Sequence, residues 1–272
     1  MSLQITSSSN HIIKTLKLLH KKRGRQKEKS FFIEGIRSVE QSIVSNADIK
    51  YIVYSDMLFD TKGGKELLEK IQTLGYDIYY ITDKLFREIS DTEHPQGILS
   101  VLSFKFYKLE EVLLKEKNFL VLLDRVQDPG NMGTIIRTCD AFGANGIIVS
   151  NGCVDIYNPK TVRSTMGSIF QVPIIEYEDI KDAIYDLKSK NIDIISTTLQ
   201  SSDYCYNTDF NKNFALVIGN EASGISDFIV EASSSLVKIP MLGNAESLNA
   251  AIASAIIMYE VVRQRQNIVN GK

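Results

Sequence analysis

The chain has 272 residues, 44% hydrophobic and 24% charged, with a formal net charge of −2. That length and apolar content suit a two-domain globular protein with a sizeable core. No apolar run approaches the roughly 18 residues of a membrane span, and the opening MSLQITSSSN lacks the charged and apolar regions of a secretion signal. The three cysteines, Cys139, Cys153 and Cys205, show no C-x-x-C spacing and fit a reducing cytoplasm better than a disulfide framework or a zinc site.

Along the chain, Ile12–Lys22 has apolar residues at helical spacing (Ile12, Ile13, Leu16, Leu19) behind Ser and Asn cap candidates. Overlapping it is a basic cluster, Lys14–Lys29 (KTLKLLHKKRGRQKEK). Such a run is either a solvated helix face followed by a loop or a footprint for phosphate backbones. Phe31–Gly35 reads as a strand and turn, with a helix from Ile36 to Ser45. Strand Ile49–Tyr54, helix Gly64–Leu74, strand Asp77–Ile81, helix Asp83–Ser90 and strand Gly97–Phe104 follow. A small α/β module thus spans residues 1–106, the charged stretch 107–117 is the linker candidate, and 118–272 forms a second module. Residues 1–105 carry a basic excess and the remainder an acidic one.

The second module opens with Phe119–Ser150. FLVLL fits a strand buried on both faces, Asp128-Pro129-Gly130-Asn131 is turn chemistry, Met132–Phe142 has helical spacing with Gly143 as its stop, and GIIVS returns as a strand. Helix Thr161–Ile169, strand Val172–Ile175, helix Ile180–Ser189 and strand Ile192–Ser196 come next. Two more buried strands, ALVIG and LVKIP, stop at loops rich in Gly, Asn and Ser: Phe214–Gly224 (FALVIGNEASG) and Val237–Asn249 (VKIPMLGNAESLN). Each loop carries one acidic residue, Glu221 or Glu246, and the second runs into an apolar helix, Ala250–Arg265. Ligands of open α/β sheets bind beyond the carboxyl ends of the strands, so these loops are the binding-site candidate.

Absences narrow the chemistry. All three histidines, His11, His20 and His94, fall in the first module, which removes Ser-His hydrolysis and His-ligated metal sites from the second unless the first module reaches across. GNEASG lacks the Lys-Ser/Thr of a phosphate loop, and no G-x-G-x-x-G dinucleotide turn is present.

DPGNMGTIIRTCDAFGA, IGNEASGIS and IPMLGNAESLNAAIASAI resemble, in order, the three motifs of the SpoU/TrmH family of RNA 2′-O-ribose methyltransferases in the SPOUT superfamily, across about residues 118–265. FFIEGIRSVEQSI (Phe31–Ile43) is similar to that family's substrate-binding domain. The resemblance implies an α/β protein with a small N-terminal RNA-binding domain and a C-terminal SPOUT domain containing a trefoil knot. It also implies S-adenosylmethionine as methyl donor, no metal, and a homodimer with the final helix at or near its interface. Alignment of donor and acceptor supplies much of the barrier reduction in such a displacement.

By motif position the donor pocket comprises Thr197, Leu199, Ile218, Gly219, Asn220, Ile239, Ser247, Leu248 and Asn249. Gly219 would let a backbone approach the adenosine, and main-chain groups of Ile218, Ile239 and Leu248 would meet adenine. Asn131 and Arg137 lie near the reacting ribose. A guanidinium is too weak an acid to serve as a base at neutral pH, so Arg137 is expected to hold phosphate and stabilise the developing alkoxide. Glu221 would orient loops or Arg137. Ser247 and Asn249 would bond the ribose or the donor carboxylate, with Ser247 doubling as N-cap of the last helix. Lys21, Lys22, Arg23, Arg25 and Arg163 are the expected RNA contacts. The expected substrate is ribosomal RNA, with transfer RNA or a catalytically silent RNA-binding role as alternatives, and the expected location is the cytoplasm.

Overall fold

The computed structural model describes residues 3–113 and 116–270, the side chains of 267–270 excepted. The chain divides into two compact units: Met1–Lys105 with Tyr157–Phe170, and Phe106–Ile156 with Gln171–Lys272. Residues 114–115 of the expected linker lie outside the described residues.

The first unit runs β1 (Leu3–Ile5), α1 (His11–Leu19), α2 (Lys22–Glu28), β2 (Ser30–Glu34), α3 (Ile36–Val44), β3 (Ile49–Tyr54), α4 (Gly64–Thr73), β4 (Ile78–Ile81), α5 (Asp83–Ile89) and β5 (Ile98–Ser103). Its sheet has the order β1-β4-β3-β5-β2, parallel from β1 through β3 and antiparallel onward. The apolar stripe of α1 (Ile12, Ile13, Leu16, Leu19) packs into a core with Phe32, Val53, Phe86 and Leu99. The Asn10 side chain starts α1 by accepting the Ile12 N–H (2.9 Å). The helix expected to run to Lys22 instead stops at Leu19, because the chain folds back tightly. A Cβ on Gly24 would lie 2.0 Å from the Leu18 carbonyl oxygen. Arg25 is 2% exposed and donates to the carbonyls of Leu19 (2.7 Å) and His20 (2.9 Å), satisfying the open end of α1. Strand β1 was not expected; three residues are too few to show a period.

The second unit begins with α6 (Leu109–Val112), β6 (Phe119–Leu123), α7 (Pro129–Phe142) and β7 (Gly146–Ser150). Next comes α8 (Pro159–Ser164), which packs with the first unit although its sequence lies within the 118–272 stretch. The helix expected over Thr161–Ile169 is interrupted at Met166 and Gly167, whose φ values are 51° and 93°. The second unit then resumes with β8 (Ile174–Tyr177), α9 (Ile180–Ser189), β9 (Asp193–Thr197), β10 (Phe214–Ile218), α10 (Asp227–Ala232), β11 (Ser235–Val237) and α11 (Ala250–Asn270). All six strands are parallel, in the order β11-β9-β10-β6-β7-β8. Every residue of β6, β7 and β10 is buried, as a parallel sheet covered on both faces demands, which is why these strands read as unbroken apolar runs. Among the described residues no helix is long and apolar enough to cross a membrane.

The end of α11 is fastened to the amino ends of the strands. Arg265 donates to the carbonyls of Phe210 (3.0 Å), Lys212 (3.0 Å), Lys117 (3.2 Å) and Asn118 (3.4 Å), and its guanidinium lies over Phe119 and Phe214, 5.8 and 5.4 Å from their ring centres. Burial lowers its pKa from the ordinary value, yet arginine stays charged in such settings. Arg265→Ala is expected to destabilise the protein by about 2–4 kcal/mol through several abandoned carbonyls. The urea midpoint measures this, and Arg265→Lys should not restore it, since an ammonium cannot reproduce the planar fork.

Candidate active site

Because the six strands run one way, the loops after β6, β9, β10 and β11 leave from a single edge of the sheet. Asp124, the first residue after β6, is 2% exposed. It accepts Nε and Nη2 of Arg125 (2.9 and 3.0 Å) and the main-chain N–H of Ser226 (2.9 Å). A buried carboxylate needs such satisfaction, and its hydrogen bond raises the Arg125 pKa above the ordinary value. Arg125 takes a left-handed φ of 57°, which costs a non-glycine residue energy. Its carbonyl accepts from Asn220 Nδ2 (2.8 Å) and its guanidinium reaches the Gly224 carbonyl (3.4 Å). These bonds tie the loop after β6 to the loop after β10. Sequence reasoning missed both residues; the one available signal was an acid directly following an apolar run.

A second tie joins all three motif segments. Glu221 accepts from Asn131 Nδ2 (2.9 Å) and from the main-chain N–H groups of Gln127 (3.3 Å) and Asp128 (3.4 Å). Asn131 Oδ1 accepts from Asn249 Nδ2 (2.8 Å). Asn249 Oδ1 in turn accepts the N–H groups of Ala251 (2.9 Å) and Ile252 (3.2 Å), capping α11. Asp128 caps α7 in the same way through the Asn131 N–H (2.8 Å). The N-cap of α11 is therefore Asn249, whereas the sequence suggested Ser247, which is exposed. Partial burial pushes the Glu221 pKa up, but the bonds from Asn131 and the main-chain donors outweigh it and hold the carboxyl below its ordinary range.

The remaining donor-pocket candidates occupy the same edge, with altered roles. Gly219 is buried against its own loop: a Cβ there would lie 2.5 Å from Gly224 C and Ile225 N. The backbone of this chain therefore already requires glycine here. The Asn220 side chain closes its turn, accepting from the N–H groups of Ala222 and Ser223 (both 2.9 Å). The Thr197 hydroxyl donates to the Val217 carbonyl (3.0 Å), and the Ile218 carbonyl is taken by the Asp124 N–H (2.9 Å). By contrast, the main-chain groups of Gly219, Ile239 and Leu248 have no partner among the described residues. Half-buried Ile239 and Leu248 side chains and Leu199, 56% exposed, lie in these loops. Open main-chain donors and acceptors beside apolar side chains fit a purine-bearing ligand with a flat face and a hydrogen-bonding edge.

Other expected residues lie apart from this cluster. Arg137 is exposed on α7 and has no hydrogen bond or ion pair among the described residues. Six residues along a helix place it about 120° around the axis from Asn131, and Glu221 does not bond it. Lys21, Lys22 and Arg23 are exposed in the first unit. Arg25 is buried in the helix corner described above and is withdrawn as an RNA contact. Arg163, on α8, is ion-paired to Asp91, which also lies 3.8 Å from the His20 ring.

Fold and site together define an α/β ligand-binding unit with its site at the carboxyl edge of a parallel sheet, joined in one chain with a smaller mixed-sheet unit. The SpoU rRNA methylase family profile matches residues 118–259, and an MRM3-like substrate binding domain profile matches residues 10–100. The chain is 34% identical to the 23S rRNA (guanosine(2553)-2′-O)-methyltransferase RlmP of Bacillus subtilis, over 95% of this chain and 98% of the relative. It is 31% identical to the 23S rRNA (uridine(2479)-2′-O)-methyltransferase of Streptomyces viridochromogenes, over 96% and 92%. The crystal structure of an AdoMet-bound rRNA methyltransferase from Sinorhizobium meliloti is similar with a TM-score of 0.85 and 32% identity, covering 96% of this chain and 97% of that one. The chain belongs to the SpoU rRNA methylase family.

The depressed Glu221 pKa has a signed consequence. Its folded value lies below that of the unfolded chain, so the tie stabilises fully above the unfolded value and is lost as pH falls through the lowered one. The urea midpoint of the wild type is expected to exceed that of Glu221→Gln at neutral pH, with the difference vanishing in acid.

Proposed function

We propose that the protein methylates the 2′-hydroxyl of a ribose in ribosomal RNA. It is an S-adenosylmethionine-dependent RNA 2′-O-ribose methyltransferase. The observation that carries the site assignment is the gathering, at one sheet edge, of three motif loops with unpartnered main-chain groups at Gly219, Ile239 and Leu248 among the described residues. Those groups would hold the adenosine, with Leu199, Ile239 and Leu248 against its faces, and Thr197, Ile218 and Asn220 keeping the loops in shape. The bound donor supplies an electrophilic methyl carbon. As family membership implies, these loops thread as a trefoil knot.

Glu221 stays ionised at neutral pH and is a weak proton acceptor, so it acts as the tie that holds Asn131 and Asn249 in place. Arg137 supplies positive charge to the phosphate beside the target ribose and to the developing alkoxide, with Ser247 as a further hydrogen-bond donor to the RNA or donor molecule. The first unit binds the RNA, with Lys21, Lys22 and Arg23 meeting phosphates and Arg163 contributing from its pair with Asp91. Two relatives named for a guanosine and a uridine in 23S rRNA indicate that the family does not fix the base. The protein works in the cytoplasm.

The protein acts as a homodimer. Helix α11 turns Ile252, Ile256 and Tyr259 outward, 51%, 39% and 58% exposed, at the spacing of one helix face. A second copy covering that stripe accounts for it. Light scattering is expected to show a dimer at micromolar concentration, and Ile252→Lys with Ile256→Lys to shift it to monomer; a monomeric wild type would count against the assembly.

Transfer of label from radioactive S-adenosylmethionine to protein-free 23S rRNA tests the reaction. Arg137→Ala is expected to lower single-turnover transfer by about 10²-fold or more with little change in donor affinity. Neutralising Lys21, Lys22 and Arg23 together should weaken RNA binding and flatten its salt dependence. Absence of transfer to any RNA by the wild type would overturn the reading.

A further inference from the structure

The loop between β9 and β10 carries two tyrosines that the donor site does not use. Tyr204 precedes a short 3-10 turn, Cys205–Asn207, and Tyr206 lies within it; their rings stack with centres 5.3 Å apart and planes 17° apart. Lys238 Nζ lies over the Tyr204 ring, 5.2 Å from its centre. Tyr206 is 50% exposed, and neither hydroxyl has a hydrogen-bond partner among the described residues.

This shelf is held rigid from behind. The Cys205 N–H donates to the Lys238 carbonyl and the Lys238 N–H to the Asp203 carbonyl (both 2.9 Å). Ser201 Oγ donates to the Leu236 carbonyl (2.7 Å). From α11, Gln264 Nε2 donates to the Thr208 carbonyl (2.9 Å), and its Oε1 accepts the Phe210 N–H (3.0 Å). The shelf is also continuous with the donor loops, since Lys238 directly precedes Ile239 and exposed Leu199 opens the same loop.

A flat, preordered pair of rings, the outer one half exposed, with an ammonium beside it matches the two parts of a single-stranded nucleotide, a planar base and a phosphate. The ammonium beside the stacked rings supplies a phosphate contact next to a base-stacking face, which favours a nucleotide over a protein segment. We propose that Tyr206, backed by Tyr204, stacks on an unpaired base of the substrate RNA, and that Lys238 meets the neighbouring phosphate. The platform orders the strand beside the donor loops. It rests on the RNA-methyltransferase reading.

Three variants at one exposed position test it, with a fluorescein-labelled single-stranded RNA of about 12 nucleotides and protein-free 23S rRNA as probes. Base–aromatic stacking of this kind corresponds to about 5- to 150-fold in affinity. Tyr206→Ala is expected to weaken binding of the short RNA within that range and raise KM for 23S rRNA, with kcat and affinity for S-adenosylhomocysteine unchanged. Tyr206→Phe should behave as wild type, because the hydroxyl is unbonded. The chain contains no tryptophan, so Tyr206→Trp introduces a single indole reporter. Its fluorescence should be quenched by single-stranded RNA but not by S-adenosylhomocysteine or a fully paired duplex. Wild-type RNA affinity and KM in Tyr206→Ala, an equal loss of S-adenosylhomocysteine affinity, or an indole that RNA leaves unquenched would each overturn the platform. If the wild type labels no RNA, it is the enzymatic reading that fails.

Discussion

All six strands of the second unit run in the same direction, and their carboxyl ends therefore share one edge. Strands such as β6 and β10 are buried on both faces, so they have no room for polar side chains and the chemistry is displaced to the loops that follow them. Those loops would splay under their own entropy without cross-links. Two links restrain them. Buried Asp124 holds Arg125 and the Ser226 N–H, and Glu221 holds Asn131 and the start of α7. The left-handed backbone at Arg125 is the local cost of turning its carbonyl toward Asn220.

Glu221 does more than fasten loops. One carboxylate receives three donors, and a carboxylate so bonded prefers its charged form. The same asparagine that donates to it accepts from Asn249, whose carbonyl oxygen caps α11. The register of α11, and with it the outward stripe of Ile252, Ile256 and Tyr259, is thus coupled to the motif after β6. A change at Glu221 reaches the proposed dimer face through bonded atoms rather than through an unspecified pathway.

The strands of the second unit were legible because burial on both faces leaves an unbroken apolar run, and the site edge followed from where those runs stop. Function came from three separated motifs. What sequence could not supply was pairing at a distance. Asn249 and Ser247 are both good caps, and the geometry of the turn selects Asn249. Gly219 reads the same whether a ligand or its own loop lies against it. Arg25 sits in a basic run like its neighbours, yet a helix corner only a few residues long buries it. Arg163 follows the first motif in sequence, yet the fold returns α8 to the first unit. Arg265 gives no local signal, since its acceptors come from residues 117–118 and 210–212.

The arginines of the second unit bear on the proposed chemistry. Arg125 is bound to Asp124, Arg263 to Glu260, and Arg265 to the carbonyls below α11. A guanidinium committed in this way has its donors satisfied and its charge neutralised or buried; recruiting it for catalysis would break a structural bond at the moment of reaction. Arg137 alone of these four has no such commitment among the described residues, and it stands exposed on the helix that begins at the Glu221–Asn131 tie. Its charge is therefore available to an incoming phosphate without disturbing the loops. The charge of Glu221 is engaged in ordering loops, whereas that of Arg137 is uncommitted among the described residues, as its proposed role requires.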